Sequence, residues 1–272
     1  MKRLHAVFTL LAASSLMSCT TMPTPPQAAV VAPEAVSPVL EATPDPALAR
    51  LDRLQRLAPD ADPGVLALAL EARACAVASG EAGEGDRLAV IDYSLPSTAK
   101  RLWIFDLAGG NEALLYHEHV THGQGSGDNY ARRFSNIEGS FQTSLGLYRT
   151  GETYMGANGY SLRMDGLDAG FNDAARQRAI VIHGAWYADP GLIERQGRLG
   201  RSQGCPALRQ GIARQVIDTL KGNQLVFAYA DHAPWLQGSR QFGCSGRPAM
   251  QILADARGHH GGGSPVAAIA AP

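Results

Sequence analysis

"RAIVIHG" (178–184), "GRLGRSQGCPAL" (197–208) and "RQGIARQVIDTLKG" (209–222) follow one another within 45 residues and set the organisation of the chain. The first reads as a buried strand that ends on His183, so the backbone of that histidine is rigidly placed while its ring can face a cleft. The second is a glycine-rich turn around a single cysteine, Cys205. The third carries Ile212, Val216, Ile217 and Leu220 on one side, with Gly222 as a stop, and reads as an amphipathic helix. A thiol placed just before a helix start, with Arg198 and Arg201 nearby, is expected to have a lowered pKa. A thiolate beside a histidine base is an activated nucleophile. The N–H groups of Gly204 and Cys205 are then candidates to hold an oxyanion. The competing readings are a hydrogen-bonded structural histidine and a bridged cysteine.

Outward from this stretch, "RLAVIDYS", "RLWIFDL", "EALLYHEHV" and "QLVFAYA" are short runs rich in β-branched and aromatic residues, parted by Pro, Ser and Gly. Residues 123–172 are rich in Gly and Ser and read as turns and loops. The expectation is a mainly β domain with α over about 86–231, preceded by a small helical element at 47–85. In that element Asp62 is the N-cap, Pro63 opens the helix, and Leu66, Leu70, Ala74 and Val77 form one apolar face, with Cys75 on or beside it. A C-terminal extension (232–254) and a disordered tail (255–272), with His259 and His260 in it, complete the chain.

The N-terminus, "MKRLHAVFTLLAASSLMSC", has Lys2 and Arg3 before an apolar run too short to span a bilayer, as in an export signal. It ends in a sequence that resembles a bacterial lipoprotein box, so residues 1–19 are expected to be a leader with Cys19 as the lipidated residue. The seven prolines from Pro23 to Pro46 make 20–46 an extended tether. Acidic and basic residues nearly cancel, 25 against 24, and no bulk field points to nucleic acid. At 45% hydrophobic the chain can build a substantial core.

"HGAWYADPGLIERQGRLGRSQGCPAL" resembles the signature of the bacterial L,D-transpeptidases of the YkuD-like fold. His183 and Gly184 match its first element; Ser202, Gly204 and Cys205 match its second. Gln203 stands where many members have a second histidine, and Pro206-Ala207 replaces an apolar residue followed by Arg or Asn. Both departures are usual in the murein L,D-transpeptidase catalytic domain branch of the second YkuD type. "YSLPSTAKRLWIFDL", "HGQGSG", "FSN", "GSFQTSLGLYRTGETYMG", "GYSLRMDGLDAGFN" and "GRSQGCPA" are similar to that branch as well. The resemblance implies a β-sandwich or mixed-sheet catalytic domain with a helix after the cysteine. It implies Cys205 as nucleophile, His183 as base and the amides at Gly204 and Cys205 as the oxyanion hole, with Ser202 part of that motif. It implies peptidoglycan tetrapeptide stems as substrate, a thioester acyl-enzyme and no cofactor. The substrate carboxylate is expected on Arg198, Arg201 or Arg209, with Gln203 and Gly184 also near it. His122, Gly123 and Ser126 are expected to line the cleft, and Tyr160 and Asn172 to hold the stem. The same site used for hydrolysis, as a carboxypeptidase or endopeptidase, is the alternative. The implied setting is the periplasm, with a lipid anchor in a bacterial membrane.

"HEHVTHGQGSGD" places His117, His119, His122 and Asp128 within twelve residues and raises a zinc peptidase as a competitor. The order of ligands is wrong for such peptidases, and no metal is expected. A non-catalytic wall-binding lipoprotein is the last alternative, which an intact His183/Cys205 pair argues against. If lipid consumes Cys19, three cysteines remain. Cys205 must stay free to act, which leaves Cys75 and Cys244 as the expected bridge.

Overall fold

The computed structural model describes residues 45–261; the leader, Cys19, all but the last two tether residues and residues 262–272 lie outside this range. In chain order the elements are α1 (Pro46–Leu57), α2 (Pro63–Ala78), β1 (Arg87–Asp92), β2 (Leu102–Asp106), β3 (Ala113–Glu118), β4 (Gly146–Gly156) and β5 (Gly159–Gly166). There follow β6 (Val181–Gly184), α3 (Gly191–Gln196), β7 (Ala207–Leu208), α4 (Gln210–Leu220), β8 (Leu225–Tyr229), α5 (Ala233–Gly238) and α6 (Ala249–His259).

The strands form one mixed sheet of eight, in the order β3-β2-β1-β8-β4-β5-β6-β7. Within it β1 and β8 pair in parallel, with Leu88 opposite Leu225 and Ile91 opposite Ala228. Every residue of "LVFAY" in β8 is buried, as a strand covered on both faces requires. The helix α2 packs against β1, β4 and β8, and α4 against β1, β5 and β6.

Three sequence expectations change. Residues 123–172 are not all loop: β4 and β5 form a long antiparallel hairpin closed at Gly156 and Gly159. The Asn158-Gly159 pair, with Gly159 at φ +73°, is the turn signal that marks it. The α2 helix does not show a single apolar face. Ala74 is exposed, whereas Leu68, Ala69, Ala72 and Ala76 are fully buried. It is a central helix sandwiched between the sheet and α6, so its burial is wider than a surface stripe.

The tail beginning at 255 is also not disordered at its start, because α6 continues to His259 and buries Ile252, Leu253 and Ala256. The 232–254 extension and the 47–85 helices join the same hydrophobic core as the strands. Trp235 of α5 is fully buried among Phe227, Tyr229 and Phe242, and its Nε1 donates to the buried carboxylate of Asp168 (2.8 Å).

Long-range links fasten the two ends of the described chain. Cys75 and Cys244 form a disulfide across 169 residues, and Cys205 is the free cysteine among the described residues. Beside the bridge, the Glu71 carboxylate accepts from Ser245 N (3.0 Å), Ser245 Oγ (2.8 Å) and Gly243 N (3.2 Å), which fixes the turn that carries Cys244. Asp62 caps α2 by accepting from Gly64 N (2.8 Å) and also pairs with Arg257 of α6 (3.0 Å). No helix among the described residues is long and apolar enough to cross a membrane.

Candidate active site

The parallel pairing of β6 with β7 places Ala207 opposite His183. Two residues back along each strand, the same register brings Cys205 to Val181, whose N–H reaches Sγ at 3.5 Å. Cys205 and His183 therefore open on one cleft because both border one short strand pair. Cys205, His183 and Gln203 line a cleft of about 580 Å³, together with Arg178, Ala179 and Val181 and with Glu138, Phe141, Tyr154 and Asn158.

The turn before the cysteine is held from inside. Ser202 Oγ donates to Cys205 O (2.6 Å) and accepts from Gly204 N (3.0 Å). Gly204 has φ +124°, a conformation that a side chain at this position would strain. A side chain at Gly123 would strike Phe141 O and the Gly204 backbone, so the 121–126 segment can back the turn only as glycine there. Gly123 and Ser202 form an isolated parallel bridge, and Thr121 Oγ1 accepts from Ala207 N (3.1 Å).

The electrostatics differ from the sequence expectation. Cys205 precedes β7, not a helix, so no helix terminus acts on its thiol, and α4 begins only at Gln210. Burial pushes the thiol up from its ordinary value, while the Val181 N–H and the charge of Arg178 work in the opposite direction. Burial likewise lowers His183, against a smaller opposing effect from its bond to Gly184 O. Both groups are therefore neutral near pH 7. Because Gly184 O can only accept, His183 Nδ1 carries the proton (3.1 Å), leaving Nε2 as the basic nitrogen. Tyr187 Oη donates to that Nε2 at 3.4 Å. The thiol itself donates to Ala179 O (3.7 Å), and no hydrogen bond joins it to the imidazole. Of the two expected oxyanion donors, the Gly204 N–H is engaged by Ser202, and only that of Cys205 is without a partner among the described residues.

Arg178 is the cation of this cleft, where Arg198 and Arg201 were expected. It donates to Ser135 O (2.7 Å), Ser144 Oγ (2.5 Å), Gln142 O (2.7 Å) and Ser140 Oγ (3.3 Å), all of them neutral acceptors. It thus ties the 135–144 segment to the cleft wall without a carboxylate in salt-bridge contact, although Glu138 of the same cleft acts on its charge. Ala179 and Phe141, which line the same cleft, hold φ of +51° and +54°, strain of the kind that clusters at functional sites.

Other expected residues lie elsewhere. Arg201 pairs with Asp128 (2.8 Å) and Arg209 with Glu118 (2.9 Å). Arg198 and Arg201 line a separate 210 Å³ hollow with Gln124, Trp186 and Tyr187. His122 is buried with Nδ1 on Arg101 (2.8 Å) and Nε2 on Gly127 O (3.3 Å); burial and Arg101 drive its pKa to about 3. Ser126 is buried, accepting from Thr143 N (2.9 Å). Asn172 is also buried, its amide used by Asp168 N and Leu147 O (2.8 and 3.0 Å). Tyr160 donates to Asp218 (2.8 Å), and Tyr154 of the same hairpin lines the cleft instead. Gly184 faces Ala213 of α4 and admits that helix to the sheet. His117 stacks on Trp103 and His119 bonds to Thr98 O (3.1 Å), so these rings do not converge with His122 on a metal.

A curled mixed sheet with a cysteine and a histidine at one strand pair defines the class of the domain, and the comparisons agree. Residues 57–229 match the L,D-transpeptidase catalytic domain of the second YkuD type, and the chain belongs to that family. The match begins inside the helical region, well before residue 86. Among solved structures the chain is similar to an L,D-transpeptidase from Mycobacterium smegmatis (14% identity, 53% of this chain and 59% of that one, TM-score 0.33). It is also similar to the helical cell shape determining protein Pgp2 from Campylobacter jejuni (13% identity, 70% and 77%, TM-score 0.37). The chain thus spans about 59% of the length of the mycobacterial structure. No curated protein matches it.

Proposed function

We propose that the protein is a cysteine-dependent L,D-transpeptidase acting on peptidoglycan tetrapeptide stems. The observation that carries this reading is the Cys205 thiol and the His183 ring sharing one cleft in a domain of this family. A neutral thiol beside a neutral imidazole favours general-base attack over a preformed ion pair. His183 Nε2 exchanges its Tyr187 hydroxyl for the thiol and takes its proton as Sγ bonds to the carbonyl at the L-centre of the diamino acid. The Cys205 N–H and the charge of Arg178 offset the developing oxyanion. The C–N bond to the terminal D-alanine then breaks, His183 returns the proton to the leaving amine, and a thioester remains. The amine of a second stem attacks this thioester with His183 again as base.

Tyr187 borders the Arg198/Arg201 hollow and bonds to His183, so that hollow is our choice of seat for the second stem. Its exposed Trp186 supplies an apolar wall. The Cys75–Cys244 bridge fits an oxidising compartment, and we assign the protein to the periplasm with Cys19 as its lipid anchor.

Incubation with purified disaccharide-tetrapeptides, read by mass, tests the activity. A cross-linked dimer that has lost one alanine is expected, with none from Cys205→Ala. Tripeptide alone would mean hydrolysis by the same site, and product from Cys205→Ala would end the mechanism. Labelling by fatty acid that persists in Cys19→Ser would end the anchor.

A further inference from the structure

The two histidines at the end of α6 come to lie on the first helix of the described chain. Asp52 Oδ1 of α1 is 3.2 Å from His259 Nε2 and 3.3 Å from His260 Nε2. One ligand atom from each of the three residues lies within 4.8 Å of the other two. We propose that Asp52, His259 and His260 form a binding site for zinc, separate from the Cys205 cleft, that fastens the C-terminal helix to the N-terminal one.

Three observations carry the assignment. With zinc–nitrogen and zinc–oxygen bonds of about 2.0–2.1 Å, the edges of a coordination tetrahedron are roughly 3.3–3.4 Å. The two Asp–His separations, 3.2 and 3.3 Å, come close to that length, the first of them as a hydrogen bond between His259 Nε2 and Asp52 Oδ1. Next, His260 Nε2 is sealed from solvent and has no hydrogen-bond partner, even though a carboxylate oxygen stands 3.3 Å away. The ring is thus close enough to share a ligand with Asp52 but wrongly angled to donate a proton to it. Finally, the two imidazoles meet edge to face, with planes 89° apart and centroids 4.9 Å apart, so they present nitrogens to a common point instead of stacking.

The surroundings suit a cation. Both histidines sit in the last turn or at the cap of α6, where the helix dipole favours positive charge. The nearby arginines are committed elsewhere: Arg257 to Asp62, and Arg53 and Arg50 to Glu112. Two imidazoles and one carboxylate are a donor set that suits zinc and disfavours magnesium, which takes oxygen ligands. Three protein ligands leave the fourth position to water or to a donor from outside.

The test uses the full chain as a Cys205→Ser variant, stripped with chelator, so that the thiol cannot bind metal. Zinc chloride is titrated by calorimetry, with magnesium chloride as control, and thermal unfolding is followed in parallel. One equivalent of zinc is expected to bind and to raise Tm by several degrees, with no effect of magnesium. Binding and the Tm rise should both disappear in His259→Gln/His260→Gln and weaken at least tenfold in Asp52→Asn, with unchanged circular dichroism. Absence of saturable zinc binding would overturn the proposal, as would one-equivalent binding that persists in the double histidine variant. If that double variant fails to fold, Asp52→Asn decides, and undiminished zinc affinity there would equally overturn it.

Discussion

Around Cys205 the interior is polar: Thr121, Ser126, Thr143 and Ser202 are all buried and hydrogen-bonded, and the backbone turns through Gly204 at a positive φ that suits glycine. At the other end, α1, α2 and α6 bury leucines and alanines and are joined by a disulfide and charged pairs between residues distant in sequence. Hydrogen bonds are directional and fix atoms; apolar burial is not, and holds elements. One end therefore sets where a thiol points, and the other sets how strongly the chain holds together. Changes at the first should alter rates with little effect on unfolding, and changes at the second the reverse.

The sharpest way to break this division is His183→Ala. It should lower the rate of stem-peptide turnover by about 10²–10⁴ and leave the urea midpoint nearly unchanged. A large loss of stability with a modest loss of rate would make the histidine a structural residue. Trp235→Ala tests the opposite side. It removes a fully buried ring and leaves Asp168 without one donor, so it should cost about 3–5 kcal/mol in urea unfolding. Turnover at 25 °C should stay within a factor of about three, and a larger drop would mean that the two ends are coupled.

The smallest effect concerns pH. The Cys205 thiol is raised by burial and His183 is lowered, so neither is ionised near neutrality. Alkylation by iodoacetamide reads thiolate. Its rate should keep climbing about tenfold per pH unit from 7 to 9, because the thiol loses its proton only above its ordinary value. The acid limb of turnover should lie below the ordinary histidine value of about 6.5, since His183 must be neutral to accept the proton. An alkylation plateau setting in between pH 5 and 8 would show a preformed ion pair.

What could be read in the sequence follows the range over which each signal acts. The strands around "LAVI" and "LVFAY" and the α4 helix announce themselves through local periodicity, which burial then satisfies. Local chemistry marks His183 and Cys205 as candidates and a resemblance ties the two together; periodicity says nothing about β6 meeting β7. Arg178 was missed because an arginine opening a buried strand looks like a surface residue, and its four acceptors belong to a segment more than thirty residues earlier. The helix-dipole argument for the thiol failed at two residues, Ala207 and Leu208, which pair as a strand and push the helix start to Gln210. "ARGHHGGG" reads as tail because its glycines suppress any helical signal. Packing of Ile252, Leu253 and Ala256 against α2 overrides that propensity as far as His259.

The seclusion of Cys205 also bears on how the chain matures. A protein that must oxidise Cys75 and Cys244 while sparing a third thiol faces a sorting problem, since exchange proceeds through thiolate attack on a disulfide sulfur. With its pKa raised by burial, the Cys205 thiol stays protonated at neutral pH. Its sulfur, in a residue only 9% exposed, presents little surface to a bulky oxidant. Once the fold closes, mispairing is thus slow on two independent counts, one of protonation and one of access. The same burial that keeps the thiol protonated also shields it from exchange with the Cys75–Cys244 pair.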